Sequence, residues 1–342
     1  MQRRGVTVLI GAVMVMVLTL GVMVAPVPYV VLQPGPTWDT LGEGSNGGPL
    51  IDVEGDVEVS EAAGELHLTT VSVQPDVSLV DALYAWFSDD DAVVPRELVY
   101  PPEQSEEEIE QRNAEQFTTS QTNAEVAALT YLGYRSVVEI ARVVEGAPAD
   151  GVLQPGDVIT AVDGTEVTKA SELQQQITAR PVGSTLRFEY LRNGQPGTAE
   201  ITTAAVGDGD DTPRIGVEVT QSIDAPFELH IELDRIGGPS AGLMFALGII
   251  DKLEPEDLTG GMIIAGTGTI DAAGNVGPIG GIPQKLVAAR ELGAEAFLVP
   301  TANCAEARAN AQPDLTLVKV DTLTDALDGL ADLREGRNPE TC

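Results

Sequence analysis

Ile236-Gly237-Gly238-Pro239-Ser240-Ala241-Gly242 separates two segments of different period. Upstream, Glu228-Leu229-His230-Ile231-Glu232-Leu233 alternates as a half-buried strand does. Downstream, Leu243 to Leu253 is an apolar run of helical length. Ser240 therefore stands at a strand–loop–helix junction. Amides at a helix start have no acceptor within the helix, so they can bind negative charge developing near the hydroxyl. The flanking glycines let a substrate carbonyl come close to the backbone. Gly238, Pro239, Ser240 and Ala241 thus form a candidate oxyanion loop around a candidate nucleophile. Simple helix capping by Pro-Ser explains this motif, taken alone, equally well.

Met262-Ile263-Ile264-Ala265 reads as a buried strand and leads into Gly266-Thr267-Gly268-Thr269-Ile270-Asp271. Farther on, Asn275-Val276-Gly277-Pro278-Ile279-Gly280-Gly281-Ile282-Pro283 opens a helix that ends near Leu292. With Pro283 at the first helical position, Lys285 falls in the first turn, where the helix dipole disfavours a cation. Dipole and apolar neighbours together should lower its pKa. A drop from about 10.4 to about 7.5 costs roughly 4 kcal/mol and yields the neutral amine that can take a serine proton. Only Lys169, Lys252 and Lys319 compete for that role.

The 342 residues carry 19 Lys plus Arg against 53 Asp plus Glu, a formal charge of −34. Nucleic-acid binding needs clustered Lys and Arg and is excluded on that ground. With two Cys and two His, neither a structural metal nor a cofactor is expected. Gly5 to Leu32 is uncharged and dense in Val, Leu, Ile and Met. As a helix, Gly5 to Ala25 would be about 31 Å long, enough for the ~30 Å hydrocarbon core, and Pro26 and Pro28 would end it. Arg3 and Arg4 hold the short end inside, which predicts a single-pass cell-membrane protein whose residues from about Gln33 onward are extracytoplasmic. A cleaved signal peptide is the alternative, with a usual apolar core of about 7–15 residues. Outside the cytoplasm Cys304 and Cys342 tend to pair; two free thiols stay open, since the Cα separation a disulfide needs is not written in the sequence.

Residues 33–60, rich in Gly and Pro, predict loops and short strands. Glu65 to Val73 alternates as a strand, Leu79 to Phe87 reads as a short helix, and Glu103 to Tyr131 as a long helix, solvated at first and docked at its end. In residues 133–205 the turn Pro155-Gly156-Asp157 feeds the strand Val158 to Val162, Asp163-Gly164 makes a tight turn, Ser171 to Thr178 is a helix, and Thr185 to Arg192 is a strand ending at Asn193-Gly194. Gly146-Ala147-Pro148-Ala149 with Leu153-Gln154-Pro155-Gly156-Asp157-Val158-Ile159 resembles a PDZ domain. That resemblance implies a peptide adding as a strand beside the Ser171 helix. The usual Gly-Leu-Gly-Phe carboxylate loop is not evident, and Leu132-Gly133-Tyr134-Arg135 is a weak substitute. A rigid spacer without a ligand is the other reading of this block. Gly207-Asp208-Gly209-Asp210-Asp211-Thr212-Pro213 reads as a linker.

Gly238-Pro239-Ser240-Ala241-Gly242, Thr267-Gly268-Thr269-Ile270, and Pro278-Ile279-Gly280-Gly281 leading to Lys285-Leu286 with Ala288-Ala289 resemble the proteolytic domain of Lon. The whole order resembles the membrane-anchored, PDZ-containing Lon-like proteases of bacteria. The resemblance implies Ser240 as nucleophile, Lys285 as general base and Thr267 as the group orienting the lysine, with peptide hydrolysis through an acyl-enzyme. Two positions depart from ATP-dependent Lon: Gly237 replaces an acidic residue, and Pro283 replaces a frequent second lysine. No Gly-x-x-x-x-Gly-Lys-[Ser/Thr] run occurs, so activity without ATP on extended or unfolded polypeptide is expected. The expected fold is mixed α/β (α+β): residues 1–32 a cytoplasmic tip and transmembrane anchor, 33–125 a β-rich segment with helices packing on the protease domain, 126–206 PDZ-like, 207–342 Lon-like. Homo-oligomerisation stays open. A His-based hydrolase using His230 and Asp234 lacks the Gly-x-Ser-x-Gly elbow, and no His-Glu-x-x-His supports a metalloprotease. A catalytically silent, membrane-tethered peptide-binding adaptor is the rival from another class.

Overall fold

The computed structural model describes every residue except 1, 24, 46, 56, 61, 206–211 and 234–236, with backbone alone at 2–6, 8 and 106. Most of the expected linker, Gly207 to Asp211, and Asp234 of the His-based alternative lie outside the described residues. In chain order the principal elements are α1 (Gln2–Met23), β1 (Tyr29–Asp39), β2 (Glu65–Gln74), α2 (Leu79–Trp86), β3 (Ala92–Pro95), α3 (Glu106–Tyr131), β4 (Arg135–Val143), β5 (Val158–Val162) and α4 (Ala170–Thr178). There follow β6 (Thr185–Arg192), β7 (Gln195–Thr202), β8 (Val217–Asp224), α5 (Gly242–Leu253), β9 (Ile263–Gly266), α6 (Ile282–Leu292), β10 (Ala296–Pro300), β11 (Thr316–Val320) and α7 (Leu323–Arg334). They divide into two compact units: Met1–Asp52, Val59–Gln121 and His230–Cys342 make one, Val53–Glu58 and Thr122–Leu229 the other.

The first unit is built on a six-stranded sheet ordered β11-β10-β9-β2-β1-β3. The strands from β11 to β2 run parallel, and β1 pairs antiparallel with both β2 and β3. Three strands thus come from residues 29–95 and three from residues 263–320. The central strand β9 explains its own sequence: with neighbours on both edges and Ile264, Ala265 and Gly266 buried, an unbroken apolar run replaces alternation. Helix α5 is buried from Gly242 to Asp251, and its Phe245 meets Phe117 of α3 edge to face at 5.8 Å.

Residues 33–60 differ from the expectation at their start. β1 runs for 11 residues through Pro34-Gly35-Pro36. It can do so because β3 pairs only with Tyr29–Leu32, so both prolines lie where one edge is free, and the register with β2 shifts between Pro34 and Thr37. Gly35 is obligatory there, since a Cβ would fall on Thr70. In the same unit Cys304 and Cys342 are disulfide-bonded with Cα atoms 5.1 Å apart, and Cys342 N–H donates to Leu317 O at 3.1 Å, tying the tail to β11.

The apolar N-terminal run is helical as α1, and its described side chains from Leu9 to Met23 are exposed on every face. Among the described residues, no helix is long and apolar enough to cross a membrane. The span expected over Gly5–Ala25 therefore becomes a proposal, taken up below.

In the second unit an antiparallel sheet ordered β8-β4-β5-β6-β7 encloses Val138, Ile140, Ile159, Leu186 and Phe188, with Leu173 and Ile177 supplied by α4. Asp163-Gly164 and Asn193-Gly194 both have positive φ, 49° and 77°, 52° and 73°, the backbone that a two-residue hairpin demands. The last strand, β8, sits beside the first, β4.

Because β2 covers one whole edge of β9, a fragment of residues 210–342 would expose the middle of its own core. Such a fragment is expected to aggregate or to lack dispersed amide resonances. The full chain in detergent should give a cooperative unfolding transition; a stable, dispersed fragment would contradict the shared sheet.

Candidate active site

Three elements from distant parts of the chain meet at one amine. Helix α6 begins after Gly281, whose φ of 73° turns the chain into the helix, with Ile282 first and Pro283 second, one place later than the sequence suggests. Lys285 donates the first bond of the helix, to Gly281 O at 3.1 Å, so its side chain leaves from the first turn. It is only 2% exposed. Its Nζ lies 2.8 Å from Thr69 O, 2.8 Å from Thr267 Oγ1 and 3.0 Å from Ser240 Oγ. Loss of hydration lowers its pKa from 10.5 to about 7. Burial, rather than the helix dipole, is the cause. None of the described carboxylates forms an ion pair with this lysine, so nothing pulls its pKa back up.

The hydrogens around Nζ can be counted. Thr267 is fully buried and its hydroxyl donates to Ser240 O at 3.0 Å, so its oxygen can only accept from the lysine. Thr69 offers a carbonyl, which also only accepts. A neutral amine has two hydrogens and one lone pair; with both hydrogens taken, the lone pair faces Ser240 Oγ. That is the arrangement a general base requires.

Thr69 was not legible in the sequence, because its contribution is a backbone carbonyl placed by pairing. β2 and β9 run parallel with Leu68 opposite Gly266, and Thr69 Oγ1 donates to Gly266 O at 3.1 Å. This register fixes the Thr69 carbonyl beside Thr267.

The loop before α5 is gripped by α3. Gly238 N–H donates to Asn113 O at 2.9 Å, and buried Ser120 donates its hydroxyl to Pro239 O at 3.1 Å. Gly268 N–H and Thr267 Oγ1 both donate to Ser240 O. The expected oxyanion loop is corrected accordingly: Gly238 spends its N–H on Asn113 and Pro239 has none, whereas Ser240 and Ala241 amides have no backbone acceptor among the described residues. Gly238 contributes its φ of 85° instead. Gly237 also has a reason, since a Cβ there would lie 2.8 Å from Asn113 Cβ. Asn113, Phe117 and Ser120 share a helical stripe, a spacing that could have revealed the docking of α3 earlier than its C-terminal end.

Residues 228–331 match the Lon protease (S16) C-terminal proteolytic domain. Residues 114–203 match the PDZ domain. Among curated relatives, the Lon protease of Clostridioides difficile (strain 630) is 30% identical over 177 residues, 46% of this chain and 22% of that protein. The Lon protease of Campylobacter concisus (strain 13826) is 36% identical over 109 residues, 30% of this chain and 13% of that protein. The alignments thus span less than a quarter of those relatives' length. The solved PDZ domain of an SdrC-like protein from Listeria monocytogenes is 32% identical, covering 24% of this chain and 85% of that chain with a TM-score of 0.23. The two matched segments make residues 228–331 similar to a Lon proteolytic domain and residues 114–203 similar to a PDZ domain.

Other candidates fall away from this centre. Ser240 Oγ has Lys285 Nζ as its hydrogen-bond partner, at 3.0 Å. His67 lies buried in β2, with Nε2 2.7 Å from Glu65 Oε2. Among the described residues, no three His, Cys, Asp or Glu side chains are grouped to hold a metal ion. In the second unit a groove of about 650 Å³ runs beside α4, lined by Ser171, Gln174 and Ile177 opposite Ile215, Val217 and Val219. Arg214-Ile215-Gly216-Val217 lies at this groove, and Leu132-Gly133-Tyr134-Arg135 does not line it. The reason is strand order. The groove strand β8 follows the block in sequence, so a loop sought ahead of the block could not be found.

Burying an amine with a pKa near 7 has a thermodynamic sign. The unfolded lysine keeps its proton up to pH 10.5, so the burial penalty is full below about pH 7 and disappears as pH rises from 7 to 10.5. At pH 7 that penalty is up to roughly 4–5 kcal/mol. Lys285→Met is therefore expected to raise the melting temperature most near pH 7, with the gain shrinking toward pH 10. Equal gains at both pH values would mean that Lys285 is not buried neutral.

Proposed function

We propose that the chain is a membrane-anchored serine endopeptidase that cuts extended or unfolded polypeptide without ATP, using Ser240 as nucleophile and Lys285 as base. The observation that carries this reading is the buried amine, held by two acceptors with its lone pair toward Ser240 Oγ. As the Ser240 oxygen attacks a peptide carbonyl, its proton passes to Lys285 Nζ. The ammonium so formed meets the Thr69 carbonyl and Thr267 hydroxyl oxygens, which stabilise it. The Ser240 and Ala241 amides face the developing oxyanion. Lys285 then gives its proton to the leaving amine as the peptide C–N bond breaks. The neutral Lys285 next takes a proton from a water that attacks the acyl carbon, and returns it to Ser240 Oγ as the ester bond breaks.

The α4–β8 groove suits a peptide added as a strand, since β8 is the edge of its sheet. We assign that groove to substrate presentation. The exposed apolar faces of α1 and the uncharged run from Gly5 to Ala25 support an anchor, whereas Tyr29–Leu32, expected from sequence to belong to it, are part of β1. The Cys304–Cys342 disulfide supports an oxidising, extracytoplasmic compartment for the catalytic unit.

The test is cleavage of a quenched, unfolded polypeptide by the full chain in detergent, together with labelling by a serine-directed fluorophosphonate. Wild type is expected to label and cut, Ser240→Ala to do neither, and kcat/KM to rise with pH through about 7 as Lys285 loses its proton. Thr267→Val should lower kcat/KM about 100-fold or more, while Thr267→Ser, which keeps the oxygen, should stay within about tenfold. A chain that binds peptide but neither labels nor cuts would instead be a tethered peptide-holder.

A further inference from the structure

Helix α2 is built inside out. Its inward positions are the small Ala82 and Ala85, which pack with Val31 and Val77, while its large apolar residues face solvent. Leu83 is 51% exposed, Tyr84 79%, Trp86 69%, and Phe87, which caps the helix, 85%. A soluble surface rarely spends a Trp, a Tyr and a Phe within four residues in this way; a contiguous patch of that kind marks something that covers it. α2 also begins where α1 has just ended. Leu79 N–H donates to Ala25 O at 3.3 Å, Val27 N–H donates to Val77 O at 3.1 Å, and Pro26 bridges Ser78. An eight-residue helix is about 12 Å long, so the aromatic residues stay close to the exit of the apolar helix.

We propose that α2 lies in the headgroup region of the bilayer and seats the catalytic unit on the membrane beside α1. Trp and Tyr concentrate at that depth, where an apolar ring and a polar edge are both accommodated. The charges around the patch select the kind of surface. Asp76, Asp81, Asp89, Asp90, Asp91 and Glu97 flank it in the chain. Against these six acids the described ion pairs supply two cations, Arg96, 3.8 Å from Asp76, and Arg290, 3.5 Å from Asp90. This acidic rim disfavours anionic lipid, limits insertion to the aromatic tips, and would repel the same rim on a second copy. A zwitterionic lipid surface meets all three conditions. The proposal rests on α1 being an anchor, as proposed above.

The chain has only two tryptophans, Trp38 and Trp86, so Trp38→Phe leaves Trp86 as sole reporter. The full chain is reconstituted in phosphatidylcholine vesicles containing lipids brominated at shallow or deep acyl positions. Trp86 emission is expected to fall at least twofold with shallow bromines and less with deep ones. A spin label on Leu83→Cys, at an exposed position, gives the same reading without altering Trp38, through accessibility to oxygen over a water-soluble nickel chelate. Resistance to alkaline carbonate extraction tests the anchor separately. Membrane-retained protein with unquenched Trp86 and a nickel-accessible label overturns the seating of α2 and leaves the anchor standing; extraction into the supernatant overturns both. A retained protein whose patch is shielded from lipid and nickel alike, and which sediments as a dimer in detergent, assigns the patch to a second copy and also overturns the proposal.

Discussion

An amine enclosed in protein, with no counter-ion among the described residues, is the constraint on which the rest of the catalytic unit depends. Hydration is lost when Lys285 is buried, and none of the described carboxylates replaces it. What remains are oxygens that can only accept: the Thr69 carbonyl and the committed hydroxyl of Thr267. These can satisfy two hydrogens of a neutral amine but cannot offset the full cost of a desolvated charge. The site thus sets both protonation state and direction, leaving a lone pair for the serine.

Holding that arrangement takes pieces of chain separated by more than two hundred residues. β2 delivers Thr69, the loop after β9 delivers Thr267, and α6 delivers Lys285, while α3 fixes the loop of Ser240 through Asn113 and Ser120. The β2–β9 pairing therefore serves both stability and chemistry. A slip of one residue in its register would remove the Thr69 carbonyl from the amine and turn the β2 side chains to the opposite face. The destabilisation stored in the buried lysine is of the kind active sites sustain when a large core supports them.

The second unit shows the same separation of local pattern from assembly. Its hairpin turns and helix follow from short motifs, whereas its groove depends on a strand that arrives last and inserts beside the first. A peptide strand entering there would meet β8 and α4, the two elements least connected in sequence to the recognisable block.

Ser240 and Lys285 could be singled out from the sequence because each sits in a short motif with a chemical use, a hydroxyl at a helix start and one of four lysines in an apolar helix turn, whereas Thr267 could be chosen only through the resemblance of its motif to the proteolytic domain of Lon. The strand at 65–73, the helix at 79–87 and the apolar segment before Pro26 were equally plain from their periods. Tertiary structure decided what is made of backbone and of pairing. The Thr69 carbonyl, the N–H of Gly238 lost to Asn113, the 11-residue strand through Pro34 and Pro36, and the strand lining the peptide groove carry no side-chain signature. Every residue has the same carbonyl and nearly every one the same amide, so their roles emerge only when long-range register brings them opposite a particular partner.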